Sequence, residues 1–326
     1  MNPWRPDVLG PDWQQRDLPL PGGAMATLVR RATPSARTSD DADPRPAVLY
    51  LHGFVDYFFH PHVAEAFEER GYRFYALDLR GYGRSIGRGA QEGGPNHVSD
   101  LAIYTQDLDA AVAAIRAEGH RRMVINAHST GGLIGPLWAA TRPGTVEAMV
   151  LNSPWLDLNG NWFLRGPVTA LVHVIGRWCP TFKVSGLRPH YGEALHRDTG
   201  GEWDYSLVWK PHLGFPVTAG WLRSVRRAHR RVKRGLAVQC PVLVATSTTR
   251  GDNRHWHPEV ITSDSVLDPA DMWARAHRLG SDVEVRTFPG GAHDLALSPE
   301  PARSAYLTAA LGWLDAVTAR GPAREA

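Results

Sequence analysis

Residues 127–132 read Ala-His-Ser-Thr-Gly-Gly and follow the apolar run Met123-Val124-Ile125. A buried strand that turns at once into a glycine-rich helix start holds the apex serine hydroxyl clear of the backbone. Ala127 stands where such a turn usually has its first glycine, and is one methyl larger. Ser129 is therefore a candidate nucleophile. A serine hydroxyl attacks at neutral pH only when a base takes its proton, and histidine has the pKa for that task. Fifteen histidines occur, so position must choose among them. His293 follows the apolar run Val283–Phe288 and the turn Pro289-Gly-Gly-Ala292, where a base just past a strand end can reach the serine. His52-Gly53 closes a third apolar run, Val48–Leu51. Such a turn can set the amide of Phe54 opposite that of Thr130, a pair of donors for an oxyanion.

The remaining histidines read as supports. His128 precedes the serine and is expected to point away from the base, packing or hydrogen-bonding locally, and His52 to support its own loop. His255-Trp-His257 and His60-Pro-His62 could each offer two metal ligands. Neither has carboxylates or cysteines at ligand spacing, so both read as surface loops and no metal is expected. No phosphate-binding glycine loop follows the first parallel strand, and no cofactor is expected. After the strand at Val242–Ala245, three aspartates, Asp252, Asp264 and Asp268, compete to orient the base.

These groups need a sheet to carry them. Residues 14–31 alternate around Pro21-Gly22-Gly23 and predict an opening antiparallel hairpin. Strands are predicted at Ala47–Leu51, Arg73–Leu77, Met123–Asn126, Ala148–Asn152, Val242–Thr246 and Val283–Phe288. Helical patterns at Pro61–Arg70, Ser99–Glu118, Leu133–Thr141, Pro269–Leu279 and Pro301–Val317 alternate with them. Such alternation implies a mainly parallel sheet with helices on both faces, an α/β fold.

With Asp78-Leu-Arg-Gly-Tyr-Gly-Arg-Ser85 added, the motifs resemble those of the α/β-hydrolase superfamily. The branch most resembled is that of monoacylglycerol lipases, lysophospholipases and serine aminopeptidase S33-like hydrolases. The resemblance covers about residues 46–160 and 238–316. It implies an α/β-hydrolase core, 1–154 and 238–326, with a cap inserted at 155–237. It also implies Ser129, His293 and an aspartate as catalytic residues. Asp264-Ser-Val-Leu-Asp-Pro269 resembles the family's stretch from acid to next helix, which favours Asp264 and leaves Asp268 as a helix N-cap before Pro269. Asp252 lies nearer the strand end, in Arg250-Gly-Asp-Asn-Arg254, and remains the rival. Where monoacylglycerol lipases tend to carry a Gly-x-Gly-Glu-His-like stretch, this chain has Phe54-Val-Asp-Tyr-Phe-Phe-His60.

The implied activity is hydrolysis of carboxylic esters of small, lipid-like molecules through an acyl-enzyme. The same residues also serve acyltransferases and hydrolases of thioesters, carbon–carbon bonds or specialised metabolites, because the covering segment sets the substrate. A non-catalytic binding protein on this fold is the alternative of a different class. Six of the twelve tryptophans (Trp155, Trp162, Trp178, Trp203, Trp209 and Trp221) fall in the expected cap, where no sheet strand is evident. They could line an acyl pocket or simply hold the cap together. Arg223, Arg226, Arg227, Arg230, Arg231, Lys233 and Arg234 form one basic run, a solvated helix face or an attraction for anionic lipid. A net charge of +3, with interspersed signs, argues against nucleic acid. Two cysteines give no disulfide framework, no apolar run reaches about 18 residues, and Met1–Gln15 lacks a signal pattern. A cytoplasmic enzyme, at most peripheral to membranes, is expected.

Overall fold

The computed structural model describes residues 2–32, 45–158 and 169–319. Strands β1 (Arg5–Asp7), β2 (Gly10–Pro19), β3 (Met25–Arg31), β4 (Ala47–Leu51), β5 (Arg73–Asp78), β6 (Met123–His128) and β7 (Ala148–Asn152) come first. They are followed by β8 (Lys183–Ser185), β9 (Val217–Thr218), β10 (Val242–Ser247) and β11 (Val283–Phe288). The helices are α1 (Pro61–Glu69), α2 (Tyr104–Ala117), α3 (Gly131–Ala139) and α4 (Thr169–Trp178), then α5 (His190–Leu195), α6 (Ala219–Arg234), α7 (Pro269–Ala276) and α8 (Ala302–Thr318).

Nine strands make one sheet in the order β1-β2-β3-β5-β4-β6-β7-β10-β11. From β5 to β11 neighbouring strands are parallel, while β1, β2 and β3 add antiparallel pairs at one edge. Every residue of β4, β5, β6, β7 and β10 is buried, which is why these segments are mainly apolar and do not alternate with polar residues. Two cores sandwich the sheet. Leu49, Leu51, Ile125 and Met149 face one, with Trp138 of α3. Val48, Tyr50, Val124 and Leu243 face the other, with Phe67 of α1 and Trp313 of α8.

Between β7 and β10 the chain leaves this sheet. Strands β8 and β9 form a two-stranded antiparallel pair of their own, which the sequence did not reveal because each spans so few residues. Helices α4 and α6 pack closely: a Cβ on Gly176 would lie 2.4 Å from the Ala219 carbonyl. Of the six tryptophans in this stretch, Trp162 lies outside the described residues. Trp178 is 74% exposed, and Trp209 packs edge-on against Tyr57 at 5.1 Å. Among the described residues only Trp155 and Trp221 of these line the cavity described below, so the expectation of a tryptophan-lined pocket narrows there to these two. No helix among the described residues is long and apolar enough to cross a membrane.

Candidate active site

Ser129 stands between β6 and α3 with φ at 52°, a left-handed conformation that costs a non-glycine residue about 1–3 kcal/mol. Its surroundings hold it there. The Ser129 amide donates to the Asn152 carbonyl at 3.0 Å, and its own carbonyl accepts from Trp155 at 3.0 Å. The following glycines let helix and strands meet. A Cβ on Gly131 would lie 2.5 Å from the Leu51 carbonyl, and one on Gly132 would lie 2.7 Å from Pro154 Cβ.

The Ser129 hydroxyl lies 3.1 Å from His293 Nε2. His293 Nδ1 lies 3.0 Å from Asp264 Oδ1 and 3.1 Å from Oδ2. With Nδ1–H donating to the carboxylate, Nε2 is left to accept the serine proton. Asp264 Oδ1 also accepts from the amides of Val266, at 3.1 Å, and Leu267, at 2.7 Å, which fixes the carboxylate. All three side chains are buried. The rivals lie elsewhere. Asp252 is bound to the exposed Arg254, and Asp268 caps α7 by accepting from Ala270 at 3.0 Å.

The turn at 52–55 presses against the serine, since a Cβ on Gly53 would sit 3.2 Å from Ser129 Cβ. Leu79 N–H donates to His52 Nε2 at 3.1 Å, so the proton is on Nδ1, which lies 2.7 Å from the Gly53 carbonyl. In a trans peptide C=O and N–H point opposite ways, so holding the Gly53 carbonyl fixes the direction of the Phe54 N–H. Among the described residues, the amides of Phe54 and Thr130 have no hydrogen-bond partner. Both residues border the same cavity as Ser129 and His293.

That cavity has a volume of about 380 Å³. One wall is aromatic: Trp221 stacks obliquely on Phe54 at 4.1 Å and lies 5.6 Å from Trp155. Val217, Leu222, Val266 and Leu267 extend the apolar lining, while Asp56, Arg188, Lys210 and His212 supply polar groups.

Several histidine readings need correction. His128 does not point away from the base: its ring lies 4.8 Å from that of His293, and it borders the cavity. Its Nδ1 does make the expected local contact, 3.2 Å from the Asn152 carbonyl, and burial lowers its pKa. His60 and His62 are not on a surface loop: His60 is buried, and His62 is half-buried with its Nε2 2.9 Å from the Ala296 carbonyl. Apolar neighbours on both sides of the Pro61 helix start bury them: the His60 ring contacts Tyr50, Phe58 and Phe59, and that of His62 stacks on Trp203. His255 is exposed as expected. The basic run does not border the cavity, to which α6 gives only Trp221 and Leu222 of its first turn. Sequence reasoning also missed Asp56, Lys210 and Asp294, three charged groups near the serine whose partners are distant in the chain. The one local signal was an aspartate directly after His293.

A family model described as serine aminopeptidase, S33, matches residues 42–300. The monoacylglycerol lipase of Mycolicibacterium smegmatis is 29% identical over 266 residues, covering 80% of this chain and 85% of the relative. The structure of a Paleococcus ferrophilus monoacylglycerol lipase superposes with a TM-score of 0.64 at 21% identity, over 84% of this chain and 95% of that one. A soluble variant of Saccharomyces cerevisiae monoglyceride lipase, bound to a substrate analogue, gives 0.68 at 14% identity, over 97% and 100%. These last two likenesses bear on the fold. A family match over most of the length, on this sheet and topology, means that the chain belongs to the serine aminopeptidase S33 family of α/β-hydrolases and is a hydrolase of the lipase and esterase type.

Proposed function

We propose that this chain cleaves carboxylic esters through an acyl-enzyme on Ser129, with monoacylglycerols and lysophospholipids as the leading substrates. The hydrogen-bonded series Ser129–His293–Asp264 beside an apolar cavity carries the reading. His293 Nε2 takes the hydroxyl proton as Oγ attacks the ester carbonyl. Asp264 holds the tautomer and stabilises the imidazolium that forms. The Phe54 and Thr130 amides receive the oxyanion, each donor typically worth roughly 3 kcal/mol. His293 then protonates the departing alkoxide, and water deprotonated by the same nitrogen releases the acid. Residues 155–237 act as a cap whose underside selects the acyl chain.

The decisive experiment compares wild type with Ser129→Ala. Wild type should be labelled by a fluorophosphonate and should hydrolyse p-nitrophenyl esters, monoacylglycerols or lysophospholipids. Ser129→Ala, correctly folded, should do neither. Ester hydrolysis that survives this substitution rules out the mechanism. Turnover of aminoacyl anilides in preference to esters would make the chain a peptidase, and absence of both labelling and turnover would make it a binding protein.

The cap also carries a face suited to a bilayer. Leu171, Val174 and Trp178 of α4, with Phe182 beyond it, are exposed. Burial first, and then the charges of Arg223, Arg230, Arg227 and Arg177, lower the pKa of His173 on the same helix. Exposed apolar groups amid cations fit an anionic lipid surface. Sedimentation with phosphatidylglycerol vesicles should exceed that with phosphatidylcholine and should weaken with salt. Equal binding to both would return the arginines to a solvated face.

A further inference from the structure

We propose that Lys210 is a positioning residue for the oxyanion turn, a proposal that rests on the acyl-enzyme reading above. Its ammonium lies 2.6 Å from Asp56 Oδ1, and the other oxygen of that carboxylate accepts from Gly53 N–H at 3.2 Å. Gly53 directly precedes the Phe54 amide. A residue 154 positions along the chain thus reaches the turn through a single buried carboxylate.

Three observations support the assignment. The first is electrostatic. Burial opposes the charge on Asp56, yet Lys210, followed by His128 and His52, holds its carboxyl well below the ordinary carboxylate range. Asp56, His128 and Asp294 bring ligand-type atoms within 4.8 Å of one another, and the Lys210 ammonium supplies a cation there. The second is the strain of the turn. Val55 has φ at 51°, a rare conformation for a β-branched residue, so the turn relaxes unless it is held. The third is the grip around the pair. Ser206 N–H donates to the Tyr57 hydroxyl at 2.7 Å, Tyr205 packs on Phe59 at 4.9 Å, and the Lys210 ammonium lies 5.3 Å above the Phe59 ring.

Removing the ammonium leaves a buried carboxylate without its counter-charge, and this carboxylate must turn toward water or take a proton. Either change loosens its hold on Gly53. Loss of a whole oxyanion donor costs about 10²–10³ in kcat, so a misaimed one should cost about 10- to 100-fold. Lys210→Met should therefore lose kcat to that extent while KM shifts less than about threefold, because the apolar lining that holds the acyl chain is unchanged. Lys210→Arg should stay within about threefold of wild type, since a guanidinium can also pair with Asp56. Asp56→Asn in the Lys210→Met background should regain about fivefold or more, because the amide oxygen still accepts from Gly53 with no charge to balance.

Steady-state kinetics on a p-nitrophenyl ester and melting temperatures of the full chain decide the matter. A Lys210→Met enzyme within twofold of wild-type kcat, a loss confined to KM, or no recovery in the double variant overturns the proposal. If Lys210→Met does not fold, the double variant carries the test: kcat within about tenfold of wild type supports the clasp, and a larger loss overturns it. An active Ser129→Ala would overturn the acyl-enzyme reading itself. A labelled, inactivated serine together with an indifferent Lys210 overturns only the clasp.

Discussion

The backbone N–H of Asp264 donates to the Thr249 carbonyl at 2.9 Å, although the two lie 15 positions apart in the chain. Gly251 N–H donates to the Asp264 carbonyl at 2.7 Å, and Arg250 and Asp264 form an isolated parallel bridge. Residues 252–263 are thus an excursion closed at its neck. Asp264 re-enters beside the end of β10 as if it followed the strand directly. Asp264→Asn should therefore lower kcat by about 10⁴-fold, because an amide in place of the carboxylate stabilises the wrong histidine tautomer. Asp252→Asn should remain within twofold of wild type. Asp268→Ala should keep its activity and lose about 1 kcal/mol of stability with the helix cap. Kinetics and urea unfolding of the three variants test the set, and a crippled Asp252→Asn enzyme would refute it.

What could be read from the chain follows how local each feature is. The serine turn was legible because its strain demands small residues within six positions, and the parallel strands because burial on both faces removes polar residues from them. Asp264 was harder to read, since the neck that returns it is made of backbone hydrogen bonds without a side-chain signature. The two tryptophans that line the cavity could not be told from Trp178, Trp203 and Trp209, which do not. Which face of an irregular segment turns inward depends on contacts with Phe54 and Ser129, in the turns after β4 and β6. Lys210 and Asp56 carried no signal at all, for each alone reads as an ordinary surface charge.

Gly131 offers a test in which propensity and packing oppose each other. Alanine in a helix is ordinarily favoured over glycine by about 1 kcal/mol. Here its Cβ would lie 2.5 Å from the Leu51 carbonyl and 2.7 Å from that of His52, both of them backbone atoms that cannot swing aside. Overpacking of this kind costs about 1–3 kcal/mol, so Gly131→Ala should be destabilised despite its better propensity. It should also be slower, since the helix start carries the Thr130 amide. A variant as stable as wild type in urea would show that the elbow has slack.

The cavity predicts a chain-length profile. Each methylene buried contributes about 0.8 kcal/mol, roughly fourfold in kcat/KM, until the apolar lining is used up. Activity on p-nitrophenyl esters should thus climb with acyl length and then level off. Leu222→Trp fills part of the space beside Trp221, so it should shorten the optimum while sparing acetate and butyrate esters. A flat profile in wild type would remove the lipid reading and leave a small-ester hydrolase.

His60 makes stability depend on pH. Both of its ring nitrogens are buried without a hydrogen-bond partner among the described residues, and burial lowers its pKa to about 4. Below about pH 6.5 the unfolded imidazole binds a proton, whereas the folded one stays neutral until about pH 4. Across that window the unfolded state holds more protons, so stability falls as pH falls, by on the order of 3 kcal/mol in total. Above about pH 6.5 and below about pH 4 this contribution is flat. His60→Leu removes the titration and also the unsatisfied ring nitrogens. Its urea midpoint should equal or exceed that of wild type at pH 8, and the advantage should widen as the pH drops to 4. Parallel pH profiles for the two proteins would show that His60 is protonated as readily in the fold as outside it.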